Sequence, residues 1–195
     1  DWEITNDNDD PHLANWEYYN SRYSNPVFEA TWNGLRHLNS MGIRPVLALM
    51  GPVPDWMVEE GTPPPKHRVC QPSSRLGRLK PAMYDEFAET VVTLAAYARQ
   101  KAHIDFEYFS PFNESDCYPP EGPRIDPDEV ANVLAAVASR MKKEGLADVR
   151  LAVADQAIIS TDYLSPILKN AELMKQVGVF TLHTYGEDSV GPHVE

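Results

Sequence analysis

The chain has 195 residues, of which 43% are hydrophobic, so it can bury one sizeable core as a single domain over residues 1–195. It carries 17 basic and 29 acidic residues, for a net charge of -12, which repels nucleic-acid phosphates and anionic lipid. We therefore expect no nucleic-acid partner and no membrane partner, and the sequence has no apolar run long enough to span a bilayer. It opens on the acidic stretch DWEITNDNDD without an initiating methionine, as expected of a piece cut from a longer polypeptide.

Helical patterns and apolar runs alternate along the chain. Helical periodicity of apolar residues recurs in four segments: 28–38, 84–98, 130–141 and about 162–176. Each segment precedes a continuous apolar run typical of a strand buried on both faces: IRPVLALM (43–50), FEYFS (106–110), VRLAVA (149–154) and VGVFTLH (177–183). The motif at 126–129 is typical of a capping box at the start of the third helix. Helix and strand in alternation predict an α/β fold with a parallel sheet.

Loop lengths distinguish between a doubly wound sheet and part of a (β/α)8 TIM barrel. The loops that follow the strand ends, 51–80 and 111–125, are long, polar and rich in proline, whereas the connections 102–104 and 146–148 are short. That asymmetry is typical of a barrel whose functional face lies at the carboxyl ends of the strands. No glycine-rich phosphate fingerprint follows any strand. Because a full barrel needs roughly 250 residues, we interpret the chain as a partial barrel, the central segment of a catalytic domain.

Polar and ionisable side chains lie where the apolar runs end. Asn113 and Glu114 follow the second run, and the last run leads into His183 and Tyr185, whose spacing puts both side chains on one face of a strand. Trp56 follows the first run, where its ring could stack on a sugar. Each has a structural alternative: Glu114 as a cap or a solvated acid, His183 as a core histidine, Trp56 as a core anchor. Their joint position at successive strand ends favours an active site.

These motifs resemble those of the clan A glycoside hydrolases, a group of (β/α)8 glycosidases. SPFNE (110–114) resembles the fourth-strand motif in which an Asn precedes the acid/base Glu, and LHTYG (182–186) resembles the sixth-strand segment beside the nucleophile. MGPVPDWM (50–57) followed by SPFNE is closest to family 30, with families 39 and 5 as neighbours. On this alignment the four strands are the third to the sixth, and WEITNDND follows a missing second strand.

The resemblance implies a retaining O-glycoside hydrolase that degrades a polysaccharide or glycoside, with Glu114 as the general acid/base. It implies that Asn113 donates to a sugar hydroxyl such as the 2-OH, and that His183 or Tyr185 orients a second carboxylate. That nucleophile is expected on a seventh strand beyond this chain. Asp155, at the end of the third run, is expected to contact substrate or to serve as a structural acid.

Two acids near the end of the chain are weaker nucleophile candidates. Glu187 and Glu195 lie in what the sequence indicates is loop, and no strand leads into either. A second carboxylate about 5 to 5.5 Å from Glu114 would identify a retaining glycosidase.

Other functions stay open at this point. The chain could be a non-catalytic carbohydrate-binding or interaction protein on a truncated barrel, which would lack that second carboxylate. It could also be another barrel lyase or hydrolase with Glu114 as a base, which a phosphate or metal site near the strand ends would favour.

Cys70 and Cys117 lie in the long loops that follow the first two strands, so a disulfide could join these loops. The alternative is that both cysteines are free thiols. A bridge would indicate an extracellular or periplasmic location.

No cofactor or metal is expected. NDNDD (6–10) lacks the glycine and the distal Glu of a calcium loop, and the six histidines show no zinc spacing. The two outer strands of a four-stranded barrel segment are apolar and unpaired. We therefore expect either further strands from 1–25 and 186–195 or a second chain that covers these edges, and no soluble, active monomer from these 195 residues.

Overall fold

The computed structural model describes residues 5–60, 77–117, 121–158 and 160–183, together with the backbone of 69–70 and 118. Its helices are α1 (Trp16–Tyr23), α2 (Pro26–Ser40), α3 (Tyr84–Gln100), α4 (Val130–Lys143), α5 (Thr161–Lys169) and α6 (Ala171–Met174), with short 3₁₀ helices at Asp55–Met57 and Pro81–Met83. Its strands are β1 (Val46–Ala48), β2 (Val69–Cys70), β3 (Tyr108–Ser110), β4 (Cys117–Tyr118), β5 (Arg150–Gln156) and β6 (Val177–Leu182).

Four of the strands form one parallel sheet in the order β1-β3-β5-β6, and helices separate them along the chain. This confirms the predicted parallel α/β architecture and the partial barrel. The two remaining strands, β2 and β4, pair antiparallel and join the loops that follow β1 and β3. The carboxyl ends of the four parallel strands therefore point to one face, where the long loops lie.

Two predicted boundaries change for local reasons. The first strand is shorter than the apolar run 43–50, because Pro45 has no N–H for a ladder and Arg44 forms ion pairs with Asp105 at 3.1 Å and with Glu107 at 3.5 Å. The last predicted helix is two helices, α5 and α6. Asn170 separates them, since its side chain accepts a hydrogen bond from the Leu173 N–H at 3.0 Å and so caps α6.

The predicted capping box at 126–129 is wrong. Glu129 is itself the residue before α4, and its side chain makes no cap hydrogen bond. Its carboxylate instead accepts from Arg78 Nε at 2.8 Å, and Asp126 lies 3.1 Å from the same Nε and 3.2 Å from Arg124 Nη2. A bidentate guanidinium contact is stronger than a single cap bond, so these acids brace the loops instead.

Helix α1 was not predicted, because its residues are polar or aromatic without a clear apolar stripe. Tyr19 and Tyr23 are nevertheless fully buried, and the Tyr23 ring packs edge-on against Tyr97 of α3 with ring centroids 5.5 Å apart. The Trp32 indole of α2 donates to the Tyr23 carbonyl at 2.8 Å. These contacts cover the outer face of α3, and that helix is consequently buried along most of its length.

The outer strands of the sheet carry exposed apolar side chains, as expected. Val46 of β1 is 49% exposed and Leu182 of β6 is 43% exposed. Residues 5–25 form α1 and turns, and 186–195 lie outside the described residues. A second chain against these edges stays a prediction. No helix in the described part of the chain is long and apolar enough to cross a membrane.

Candidate active site at the strand ends

Glu114 lies in the turn after β3, and its backbone is held against the end of β5. The Glu114 N–H donates to the Asp155 carbonyl at 2.8 Å. Both residues have left-handed backbone conformations, with φ of 46° at Glu114 and 49° at Asp155. That conformation costs a non-glycine residue about 1 to 2 kcal/mol. The surrounding structure therefore overrides the local preference, as it often does at functional sites.

Four side chains form what we call the strand-end cluster: Ser110, Glu114, Asp155 and His183. His183 Nδ1 lies 2.7 Å from Glu114 Oε1, and His183 Nε2 lies 3.6 Å from Asp155 Oδ1. The Ser110 hydroxyl donates to the other carboxylate oxygen of Asp155. The Glu114 side chain is fully buried, whereas 27% of the His183 side chain is exposed. A carboxyl and an imidazole at this distance can exchange a proton.

The backbone of each strand explains how these residues meet. Residues Ser110, Asp155 and His183 come at the carboxyl ends of β3, β5 and β6, which are neighbours in the sheet. The His183 N–H continues the ladder by donating to the Gln156 carbonyl at 3.1 Å. Asp155 and His183 were predicted at strand ends, and the structure brings both of them to Glu114. It puts His183 on Glu114 itself; the expected contact with a second carboxylate stays a prediction.

Asn113 is buried beside Glu114, and its amide is held by the loop that follows. Asn113 Nδ2 donates to Glu121 Oε2 at 3.0 Å, and the Glu121 carbonyl accepts from the Gly51 N–H at 2.7 Å. Gly122 must be glycine here, because a Cβ would lie 2.6 Å from the Asn113 carbonyl oxygen. The bond to Glu121 uses one of the two amide hydrogens of Asn113. The predicted contact with a sugar hydroxyl would use the other.

Asp116 holds the turn after β3 against the segment after β5, and the sequence did not predict this role. Its carboxylate accepts from the backbone N–H groups of Ala157 at 2.9 Å and Ile158 at 2.8 Å, just after β5. The turn that carries Glu114 is thus fastened to the segment that carries Asp155. An acid two residues after a motif Glu is a weak signal, because nothing in the sequence identifies its backbone partners.

Trp56 lies in the loop after β1, half-buried against the core. Its carbonyl accepts from Lys80 Nζ at 2.9 Å, and the neighbouring Val58 pairs with Leu79 across the same loop. This packing is consistent with a core anchor and leaves sugar stacking as a prediction. Tyr185, Glu187 and Glu195 lie outside the described residues.

The loops after β1 and β3 are joined through β2 and β4. Cys117 is disulfide-bonded in the structure, and the register of the pair places Cys70 opposite Cys117. The chain contains two cysteines. Formation of this bond in the native protein stays a prediction. Among the described residues, no group of three or more His, Cys, Asp or Glu side chains could hold a metal ion.

Comparisons with known proteins identify solved structures that share this fold. No protein-family model and no curated protein matches the sequence. The chain is similar in structure to a family 30 endoxylanase from Clostridium papyrosolvens C71, with a TM-score of 0.62 and 19% identity over 85% of this chain and 39% of that one. It is also similar to the family 30 subfamily 8 xylanase Xyn30A from Clostridium acetobutylicum, with a TM-score of 0.60 and 15% identity over 85% of this chain and 40% of that one.

A third similar structure is the catalytic domain of family 30 xylanase C from Talaromyces cellulolyticus, with a TM-score of 0.54 and 13% identity over 89% of this chain and 38% of that one. The chain thus spans about two fifths of the length of each of these xylanases. At such identities the likeness shows the fold. The resemblance to clan A glycoside hydrolases, and to family 30 in particular, is confirmed as a likeness of fold.

Proposed function

We propose that this chain carries the acid/base part of a retaining O-glycoside hydrolase that acts on a polysaccharide or glycoside. The observation that carries the proposal is the Glu114 carboxyl, which lies at a strand end 2.7 Å from the His183 imidazole. Carboxyl groups at that end of a barrel strand are in the position where barrel enzymes hold their catalytic groups. The glycosidase fold of the similar structures makes glycosidic bond cleavage the chemistry to test first.

In this proposal Glu114 acts twice. In the first step its protonated carboxyl gives a proton to the glycosidic oxygen as the bond from the anomeric carbon to that oxygen breaks. A second carboxylate, on a strand beyond this chain, forms a bond to the anomeric carbon. In the second step Glu114 takes a proton from a water molecule that attacks the same carbon, and the bond to the nucleophile breaks. Between the two steps Glu114 is ionised, because its proton has departed with the leaving group, and His183 Nδ1 lies beside it at 2.7 Å.

The remaining predicted residues have distinct parts in this proposal. Asn113 and Trp56 contact the sugar, by a hydrogen bond and by stacking, as does Tyr185. Asp155 and His183 act on Glu114. Because the Glu114 side chain is fully buried, we expect the residues around it to move when substrate binds. Xylan is the first substrate to assay, since all three similar structures are named xylanases.

The test is a Glu114→Gln variant of the active enzyme that contains this chain. Turnover of an unactivated glycan should fall by about 10²- to 10⁴-fold, because the leaving oxygen no longer receives a proton. The glycosylation step should fall much less for aryl glycosides with good leaving groups. Glu107→Gln is the matched control, since Glu107 is an exposed acid at the opposite end of the same strand. Unchanged glycan turnover in Glu114→Gln would remove Glu114 from the mechanism.

The same burial of Glu114 favours a second candidate, a non-catalytic carbohydrate-binding protein. That protein would bind xylan oligosaccharides and hydrolyse none of them. Calorimetric binding without product formation by the unaltered protein would support this candidate and reject the first.

A further inference from the structure

The His183 imidazole lies between two carboxyl groups. Its Nδ1 faces Glu114 Oε1 at 2.7 Å, and its Nε2 faces Asp155 Oδ1 at 3.6 Å. The first distance is a hydrogen bond, and the second is an electrostatic contact too long for a formed hydrogen bond. Both ring nitrogens are therefore directed at acids.

Counting protons restricts the arrangement. An ionised carboxylate only accepts hydrogen bonds, and a neutral imidazole has one N–H and one lone pair. If Asp155 is ionised, its charge favours the tautomer with the hydrogen on Nε2. The lone pair of Nδ1 then faces Glu114, and the 2.7 Å contact requires a hydrogen between Nδ1 and Oε1. One proton is thus held where a general acid needs it.

Two hydrogen bonds hold Asp155 in place, so its charge can favour one tautomer of His183. The Ser110 hydroxyl donates to its second carboxylate oxygen, and its carbonyl accepts the Glu114 N–H at 2.8 Å. Its side chain is 12% exposed, so solvent screens its contact with His183 only in part. The same residue thereby binds the backbone of Glu114 and places its charge beside the ring that Glu114 contacts.

We propose that Asp155 is a positioning residue that keeps the hydrogen of His183 on Nε2 and so keeps a proton on the shared site between Nδ1 and Glu114. The effect on catalysis rests on the proposed glycosidase function. The effect on the tautomer of His183 does not depend on that function. Asp155 touches no reacting atom in this scheme; it acts through the imidazole.

The tautomer separates positioning from a loss of structure. Removal of the Asp155 charge should let the hydrogen of His183 distribute between Nε2 and Nδ1. A loss of structure alone would lower turnover without this redistribution.

The experiment compares Asp155→Asn with the unaltered enzyme by nitrogen-15 NMR of His183 and by kinetics. In the unaltered protein the neutral ring should carry its hydrogen on Nε2, and in Asp155→Asn a substantial fraction should carry it on Nδ1. Turnover of an unactivated glycan should fall by about 10- to 100-fold, and that of activated aryl glycosides much less. Ser110→Ala, which leaves the carboxylate in place without its donor, should shift both readouts in the same direction by less.

Asp148→Asn is the matched control, because Asp148 is an exposed acid just before the opposite end of β5. It should leave the tautomer and the turnover unchanged. A neutral His183 in the unaltered protein with its hydrogen on Nδ1 would overturn the proposal, as would a tautomer that Asp155→Asn and Ser110→Ala leave unchanged. The NMR result stands even where no glycan is cleaved, so its failure is distinguishable from failure of the proposed function.

Discussion

Among the residues that the structure describes, carboxyl groups are buried in two places, which differ in partner and in backbone. One is the strand-end cluster around Glu114. The other lies between α3 and α4, where Glu89 is fully buried and its Oε2 lies 3.0 Å from Arg140 Nη1. We call this pair, together with the nearby buried Glu86, the helix cluster. Arg140 also donates to the Pro11 carbonyl at 2.7 Å, and Asn6 donates to Glu86 at 3.1 Å, so this cluster fastens the segment before α1 onto the helices.

The comparison shows that burial of an acid does not by itself identify a catalytic site. Arg140 is a guanidinium, which stays protonated and cannot pass a proton to its partner. His183 is an imidazole, which can. Glu89 lies in regular helix, whereas Glu114 has a left-handed backbone. We therefore expect changes in the helix cluster to alter stability and changes in the strand-end cluster to alter turnover.

The largest expected effect in the helix cluster is that of Arg140→Met. The buried Glu89 carboxyl and the Pro11 carbonyl would both lose their donor, and the free energy of unfolding should fall by about 1 to 3 kcal/mol for each of these buried groups. Turnover per folded molecule should not change. Arg44→Met is the control, because Arg44 is an exposed ion-pairing residue worth about 1 kcal/mol or less. Urea unfolding that shows equal losses for the two variants would contradict the division between the clusters.

The next effect concerns the loops above the strand-end cluster. A bridge between Cys70 and Cys117 closes a long loop and should stabilise the fold by about 3 to 4 kcal/mol in the chain-entropy account. Reduction should therefore lower both the stability and the turnover of glycan, while the contacts of the helix cluster persist. Mass spectrometry of the unreduced protein should find no alkylatable thiol. Two alkylated cysteines would rule out the bridge.

A third effect, smaller for each pH unit than either of these, is a dependence of stability on pH. Burial raises the pKa of the Glu89 carboxyl from 4.5 to about 8, although Arg140 opposes the shift. The folded state thus holds a proton that the unfolded state has released between these values. The free energy of unfolding should fall as the pH rises through this range, by up to about 1.4 kcal/mol per unit. Glu89→Gln should abolish this slope, and a variant that keeps it would show that another group is responsible.

Much of the strand-end cluster could be predicted from the sequence. The apolar runs before Glu114, Asp155 and His183 predicted parallel strands, and parallel strands bring their carboxyl ends to one face. What the sequence could not provide is the pairing of the side chains. The pairing depends on the left-handed backbone conformation at Glu114 and Asp155. Neither residue is glycine, so the sequence contains no signal for that conformation.

The helix cluster was not predicted at all, for a different reason. Periodicity places Glu89 outside the apolar stripe of α3, which normally means contact with solvent. It is buried because α1 and the segment before it lie over that face. Such coverage depends on residues some eighty positions away along the chain, and local patterns contain no information on it.

The central claim, that Glu114 is the acid/base of a retaining glycosidase, is tested most directly by azide rescue of Glu114→Ala. In the active enzyme that contains this chain, an activated aryl glycoside still forms the glycosyl-enzyme, because its leaving group needs no proton. Azide is already an anion, so it attacks the anomeric carbon without a general base and releases the nucleophile. We predict that azide accelerates turnover and yields a glycosyl azide with the anomeric configuration of the substrate. Turnover that azide leaves unchanged, or a glycosyl azide of inverted configuration, would contradict the account.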